Sequence, residues 1–110
     1  MRRFALFFSL WPGVLVAGDF QKLSGEEILT ALAGKKLEYG AGVWQAFEAS
    51  MTTQYFSGGP NVGRWAVRGD QYCSTWPPAD LWACYDVWRN GEAIRFVDDA
   101  GGQTVGVYAK

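Results

Sequence analysis

Between Ser24 and Gly34, the apolar residues Ile28, Leu29, Leu32 and Ala33 fall on one stripe at helical spacing. Ser24-Gly-Glu-Glu27 precedes the stripe in the order of a capping box. The Ser24 hydroxyl and the Glu27 carboxylate each satisfy a free backbone N–H. Leu23 and Ile28 occupy the staple positions, Glu26 and Glu27 suit the positive helix start, and Gly34 supplies a stop. The pattern predicts a helix over 25–33.

After Gly34 the helical period gives way to alternation broken by turn residues. Strands are expected at 35–39, 43–49, 51–57, 63–68, 71–76, 81–88 and 103–109, with a further strand after Asn90-Gly91. Gly40-Ala-Gly42, the loop Gly58-Gly-Pro-Asn61, Gly69-Asp70, Pro77-Pro-Ala-Asp80 and Asp99-Ala-Gly-Gly102 separate them. Turns every eight to twelve residues with no second helix indicate an antiparallel meander. Closing it into a barrel or a tight sandwich removes exposed edges. The fold class is therefore mainly β with one N-terminal α-helix.

Each turn sets a register that can be tested against the others. Gly69-Asp70 pairs Val67 with Tyr72 and Trp65 with Ser74. Setting Trp76 opposite Leu81 puts Cys73 opposite Cys84. An Asn90-Gly91 loop pairs Val87 with Ile94, Tyr85 with Phe96 and Asp86 with Arg95. Asp99–Gly102 pairs Phe96 with Val105 and Ile94 with Val107. Together these put Trp65, Val67, Tyr72, Trp76, Tyr85, Val87, Ile94, Phe96, Val105 and Val107 on one core face. Gln71, Cys73, Thr75, Trp82, Cys84, Asp86, Trp88, Arg95 and Tyr108 lie on the other. The same reasoning leaves the parity of Tyr55 and Phe56 open.

Arg2-Arg3 is followed by an apolar run to Val16-Ala17-Gly18, the tripartite pattern of a secretory signal with cleavage between Gly18 and Asp19. The run is too short for a spanning helix, and Pro12-Gly13 interrupts it, so no membrane span is expected after its removal. The segment 19–110 is then a single domain, expected in the periplasm or outside the cell. In that setting the facing pair Cys73 and Cys84 reads as a cross-strand disulfide. It lacks the Cys-x-x-Cys spacing of a redox pair.

Composition narrows the chemistry. The chain has no histidine, which removes Ser-His-Asp and Cys-His nucleophile systems and imidazole metal sites. The formal charge of −1 becomes −3 without Arg2 and Arg3, and no basic cluster suits nucleic acid. Arg68-Gly69-Asp70 spells an adhesion tripeptide but is fully explained by a turn needing glycine. Asp98-Asp-Ala-Gly-Gly-Gln103 has the residues of a calcium loop without its bidentate glutamate, so no metal is expected. Glu38, Glu48, Asp86 and Glu92 show no pairing that would serve as an acid and a base, so no catalytic residue and no cofactor is expected.

Leu23-Ser-Gly-Glu-Glu-Ile28 with Leu32-Ala-Gly34, Gly63-Arg-Trp-Ala-Val-Arg-Gly-Asp70, Cys73 and Cys84-Tyr-Asp-Val-Trp88 together resemble a family of small exported proteobacterial proteins of unknown function. The resemblance implies an exported, disulfide-containing β-domain. Gly-x-Trp-x-Val-x-Gly-Asp is also similar to a strand of the bacterial metalloprotease-inhibitor barrels. Those act through an extended N-terminal segment, whereas here Asp19–Leu23 is short and a helix follows.

The functional expectation is a non-enzymatic binding domain for a protein partner or a small apolar ligand. A protease-inhibitor-like protein is the alternative and a small carboxylate enzyme the third possibility. Trp82 and Trp88, beside Asp86, Arg95 and Tyr108, form the candidate partner site. Either the helix covers that face or it lies open.

Overall fold

The computed structural model describes residues 19–110, and the expected export segment lies outside the described residues. Those residues form nine strands and one helix: β1 (Gln21–Lys22), α1 (Gly25–Leu32), β2 (Lys35–Gly40), β3 (Val43–Phe47), β4 (Thr52–Phe56), β5 (Pro60–Arg68), β6 (Gln71–Thr75), β7 (Ala83–Asn90), β8 (Ala93–Val97) and β9 (Gln103–Tyr108). From β2 to β9 each strand pairs antiparallel with the next, and β9 returns to β2. The eight strands therefore close into an up-and-down barrel rather than a sandwich. The extra strand β1 pairs with β7 through Gln21–Arg89 and Lys22–Trp88, on β7 residues that β6 does not reach.

The helix forms where the sequence signals it. Ser24 Oγ accepts from the Glu27 N–H, and Glu27 Oε1 accepts from the Ser24 N–H, so the capping box is complete. Gly34, at φ 77°, turns the chain into β2. The helix lies across one end of the barrel and buries Ile28, Ala31 and Leu32 against Leu37, Phe47, Trp65, Val87 and Ile94. The β5–β6 turn holds its start: Asp70 Oδ1 accepts from the Gly25 N–H at 2.7 Å. A Cβ on Gly25 would lie 2.2 Å from the Gly69 carbonyl oxygen, so only glycine lets the helix approach this closely. The Arg68-Gly69-Asp70 tripeptide is thus a turn and a helix dock.

Two registers agree with the sequence reading. Val67 faces Tyr72 and Trp65 faces Ser74, while Cys73 faces Cys84 and is bonded to it. The bridge is of the kind that persists in oxidising compartments.

Two registers differ. In the β7–β8 hairpin Val87 faces Phe96 and Trp88 faces Arg95, because Gly91-Glu92 forms the loop and Asn90 closes the ladder with Ala93. This slip keeps every residue on its expected face but separates Asp86 from Arg95. In β8–β9, Phe96 faces Thr104 and Ile94 faces Gly106. That one-residue shift reverses β9: Val105 and Val107 point outward, about 43% and 45% exposed, and Thr104, Gly106 and Tyr108 point inward. Packing decides it. The Tyr39 ring occupies the space in front of Gly106, where a Cβ would lie 2.8 Å from a ring carbon. Pro60 and Asn61, expected in a loop, begin β5, and Pro60 takes the first strand position, which proline tolerates.

Candidate functional site

The helix closes one end of the barrel, beside the Gly69-Asp70 and Gly91-Glu92 turns. The other end carries the loops after β2, β4, β6 and β8. There the inward positions change character. Tyr39, Gln45, Tyr55, Tyr72, Ser74, Tyr85, Phe96 and Thr104 line a cavity of about 210 Å³ that opens at this mouth.

Small residues make room for the rings. Gly106 lies under Tyr39, and Gly63 lies under Trp76, where a Cβ would sit 2.6 Å from the indole. A bulge in the β2–β3 ladder at Tyr39 coincides with its position at the rim. The rings then pack edge to face or tilted: Tyr72 and Phe96 centroids are 5.2 Å apart, Tyr85 and Phe96 6.4 Å, and Tyr55 and Trp76 6.0 Å.

A polar chain runs through the cavity wall. The Tyr39 hydroxyl donates to Gln45 Oε1 at 2.8 Å. Gln45 Nε2 donates to Thr53 Oγ1 at 2.9 Å and to the Tyr72 hydroxyl at 3.1 Å. Thr53 Oγ1 donates to the Ala46 carbonyl at 2.8 Å. Trp76 Nε1 reaches Ser74 Oγ at 3.3 Å. Gln45 and Thr53 are buried, so these bonds satisfy groups that would otherwise destabilise the fold. Burial pushes the Tyr39 phenol far above its ordinary range, with Tyr72 adding to the effect. Burial also pushes Tyr72 up to about 12, against the opposing effect of its Ser74 and Gln45 hydrogen bonds. Both phenols are therefore neutral at physiological pH. Among the described residues no charged side chain lines the cavity.

The five residues expected to form a partner site are divided. Tyr108 points inward at the closed end, where its hydroxyl donates to the Ala31 carbonyl at 2.7 Å. Burial raises its pKa, partly offset by Arg89, whose guanidinium lies 5.0 Å from the ring centroid. Trp82, Asp86, Trp88 and Arg95 remain on the outer wall, each half-buried. Asp86 accepts from Gln71 Nε2 at 3.2 Å and lies 3.9 Å from Lys22 Nζ, in place of the expected Arg95. The Arg95 guanidinium sits 3.9 Å from the centre of the Phe20 ring, and its buried Nε finds no partner among the described residues. Arg68 lies 4.3 Å from the Trp82 ring centroid. The helix does not cover this wall. The N-terminal arm does so in part, through Phe20 and β1.

No family model, curated protein or solved structure matches the chain.

The Asp98 loop is also explained locally. Asp98 Oδ1 accepts from the backbone N–H groups of Ala100 and Gly102, at 2.9 Å and 2.7 Å. Sequence reasoning missed Tyr39, Gln45, Thr53, Ser74 and Thr104 as site residues. The available signal was polar side chains at inward strand positions among tyrosines, as in Tyr72-Cys-Ser74.

Proposed function

We propose that this protein is an exported, non-enzymatic binding barrel, lipocalin-like in role, that takes a small uncharged ligand in its open mouth. The observation that carries the reading is the change in lining along one barrel interior. The closed half is filled with hydrocarbon, and the mouth keeps a cavity walled by tyrosines and neutral polar groups. A barrel of this strand number has an interior that side chains can fill completely. An unfilled, ring-lined cavity with a few converging polar groups is the usual form of a small-molecule site. At about 210 Å³ it is smaller than the ~300–1,000 Å³ typical of larger ligands, which favours a compact molecule. The disulfide and the signal-like N-terminus support a periplasmic or secreted setting.

The test is to purify the protein from its native cells, denature it and identify released small molecules by mass spectrometry. Thr104→Trp, which fills the mouth, serves as the control. A compound enriched with the wild-type protein and absent from the variant is the expected result. Identical small-molecule profiles from the two proteins would refute the reading.

A further inference from the structure

The hydrogen bonds in the mouth have a forced direction, which can be traced from one fixed acceptor. The Ala46 carbonyl only accepts, so the single Thr53 hydroxyl proton goes to it. Thr53 Oγ1 must then accept from Gln45, which puts the amide nitrogen on that side. The amide oxygen is left facing Tyr39 and takes the proton of that phenol. The second Gln45 N–H goes to the Tyr72 oxygen. An amide nitrogen has no lone pair to offer in return, so Gln45 leaves the Tyr72 proton free.

Ser74 is the next group along β6 and lines the same cavity. Its oxygen already receives the Trp76 N–H. If Tyr72 donates to Ser74, the Ser74 proton is free; if Ser74 donates to Tyr72, the Tyr72 proton is free. In either arrangement the wall presents an unused O–H to the cavity.

We infer that the mouth selects uncharged molecules carrying a hydrogen-bond acceptor, such as a carbonyl or ether oxygen, on a body about the size of one ring. The Tyr39–Gln45–Thr53 chain positions the Tyr72/Ser74 donor, and Tyr55, Tyr85 and Phe96 enclose the ring. This rests on the reading of the mouth as a ligand site. A carboxylate or ammonium group would lose its hydration there with no counter-charge among the lining residues. The upward displacement of the Tyr72 phenol shows that the same surroundings disfavour negative charge.

Three one-ring probes test the inference on the oxidised protein by NMR shift titration: acetophenone, ethylbenzene without the acceptor, and benzoate with a charge. Acetophenone should bind about tenfold more tightly than ethylbenzene, the effect of one hydrogen bond to a buried donor. Benzoate should bind most weakly. Tyr72→Phe combined with Ser74→Ala, which removes both candidate O–H groups, should lower the acetophenone preference while leaving ethylbenzene unchanged. Tyr39→Phe, at the far end of the chain, should lower it by a smaller factor. A variant that merely loosened the cavity would weaken both probes in parallel.

Equal affinities of the wild-type protein for acetophenone and ethylbenzene, with shifts in the mouth, would overturn the acceptor rule and leave the ligand site standing. Benzoate binding tightest would do the same. Absence of mouth shifts with all three probes would overturn the site as well. Thr104→Trp should abolish every mouth shift, which checks the location if the paired Tyr72→Phe, Ser74→Ala variant does not fold.

Discussion

The two ends of the barrel are built from the same strands and the same inward alternation, yet they are made of different chemistry. At the closed end Leu37, Phe47, Trp65, Val87 and Ile94 meet the apolar stripe of α1, and the Phe47 and Trp65 rings pack edge to face at 5.9 Å. At the open end the inward positions hold Tyr39, Gln45, Tyr55, Ser74 and Thr104. Hydrocarbon fills the first, and its polar ring groups are tied to backbone carbonyls: Trp65 Nε1 donates to Glu48 and the Tyr108 hydroxyl to Ala31. The second keeps groups that must be satisfied, and the directed chain through Gln45 satisfies all of them but one O–H of the Tyr72/Ser74 pair. The comparison teaches that stability and recognition are separated along the barrel axis.

Truncations should expose that separation most strongly at the closed end. Phe47→Ala and Trp65→Ala are each expected to destabilise by ~3–5 kcal/mol in urea titrations, as loss of a buried aromatic does. Thr104→Ala at the mouth should change stability by no more than ~0.5 kcal/mol. Equal losses at both ends would break the comparison. Removing the Cys73–Cys84 bridge by paired serine substitution should cost ~3 kcal/mol in the chain-entropy model. Below that comes the helix dock: Ser24→Ala and Asp70→Ala should each cost ~1 kcal/mol, as lost capping groups do.

Alkaline pH should sharpen the contrast from the other side. Tyr72 ionises at 10.0 ordinarily and at about 12 in the folded protein, so the folded state favours the neutral phenol. Its contribution is complete below pH 10 and is lost as the pH rises through 10 to 12. Tyr39 is displaced in the same direction. The urea midpoint should therefore fall above pH 10, and Tyr72→Phe should flatten the fall. An unchanged slope in that variant would show that the mouth phenols are not its source.

Much of this arrangement is legible in the chain, and the exceptions have physical causes. The helix was readable because Ser24, Glu27 and Gly34 act within a few residues of one another. The disulfide register followed from one local loop. The reversal of β9 was not readable, because Val105 and Val107 alternate as a core face should. What decides the register is the fit of Gly106 to the ring of Tyr39, which lies far away in sequence. The same error placed Tyr108 beside Trp88 on the outer wall. The mouth was hidden for a related reason: inward polar residues look like outward ones when hydrophobicity alone assigns the face. Only the closure of β9 on β2, which no single turn specifies, brings Thr104 around to the cavity.

The central claim, that the open end is the binding end, is tested most directly by locating a bound probe. Intermolecular nuclear Overhauser effects from acetophenone to the protein should fall on the rings of Tyr72, Tyr85 and Phe96, with none to Ile28 or Leu32 on α1. Contacts confined to the stacked outer pair Trp44 and Phe56, or no contacts to the mouth at saturating probe, would contradict the account.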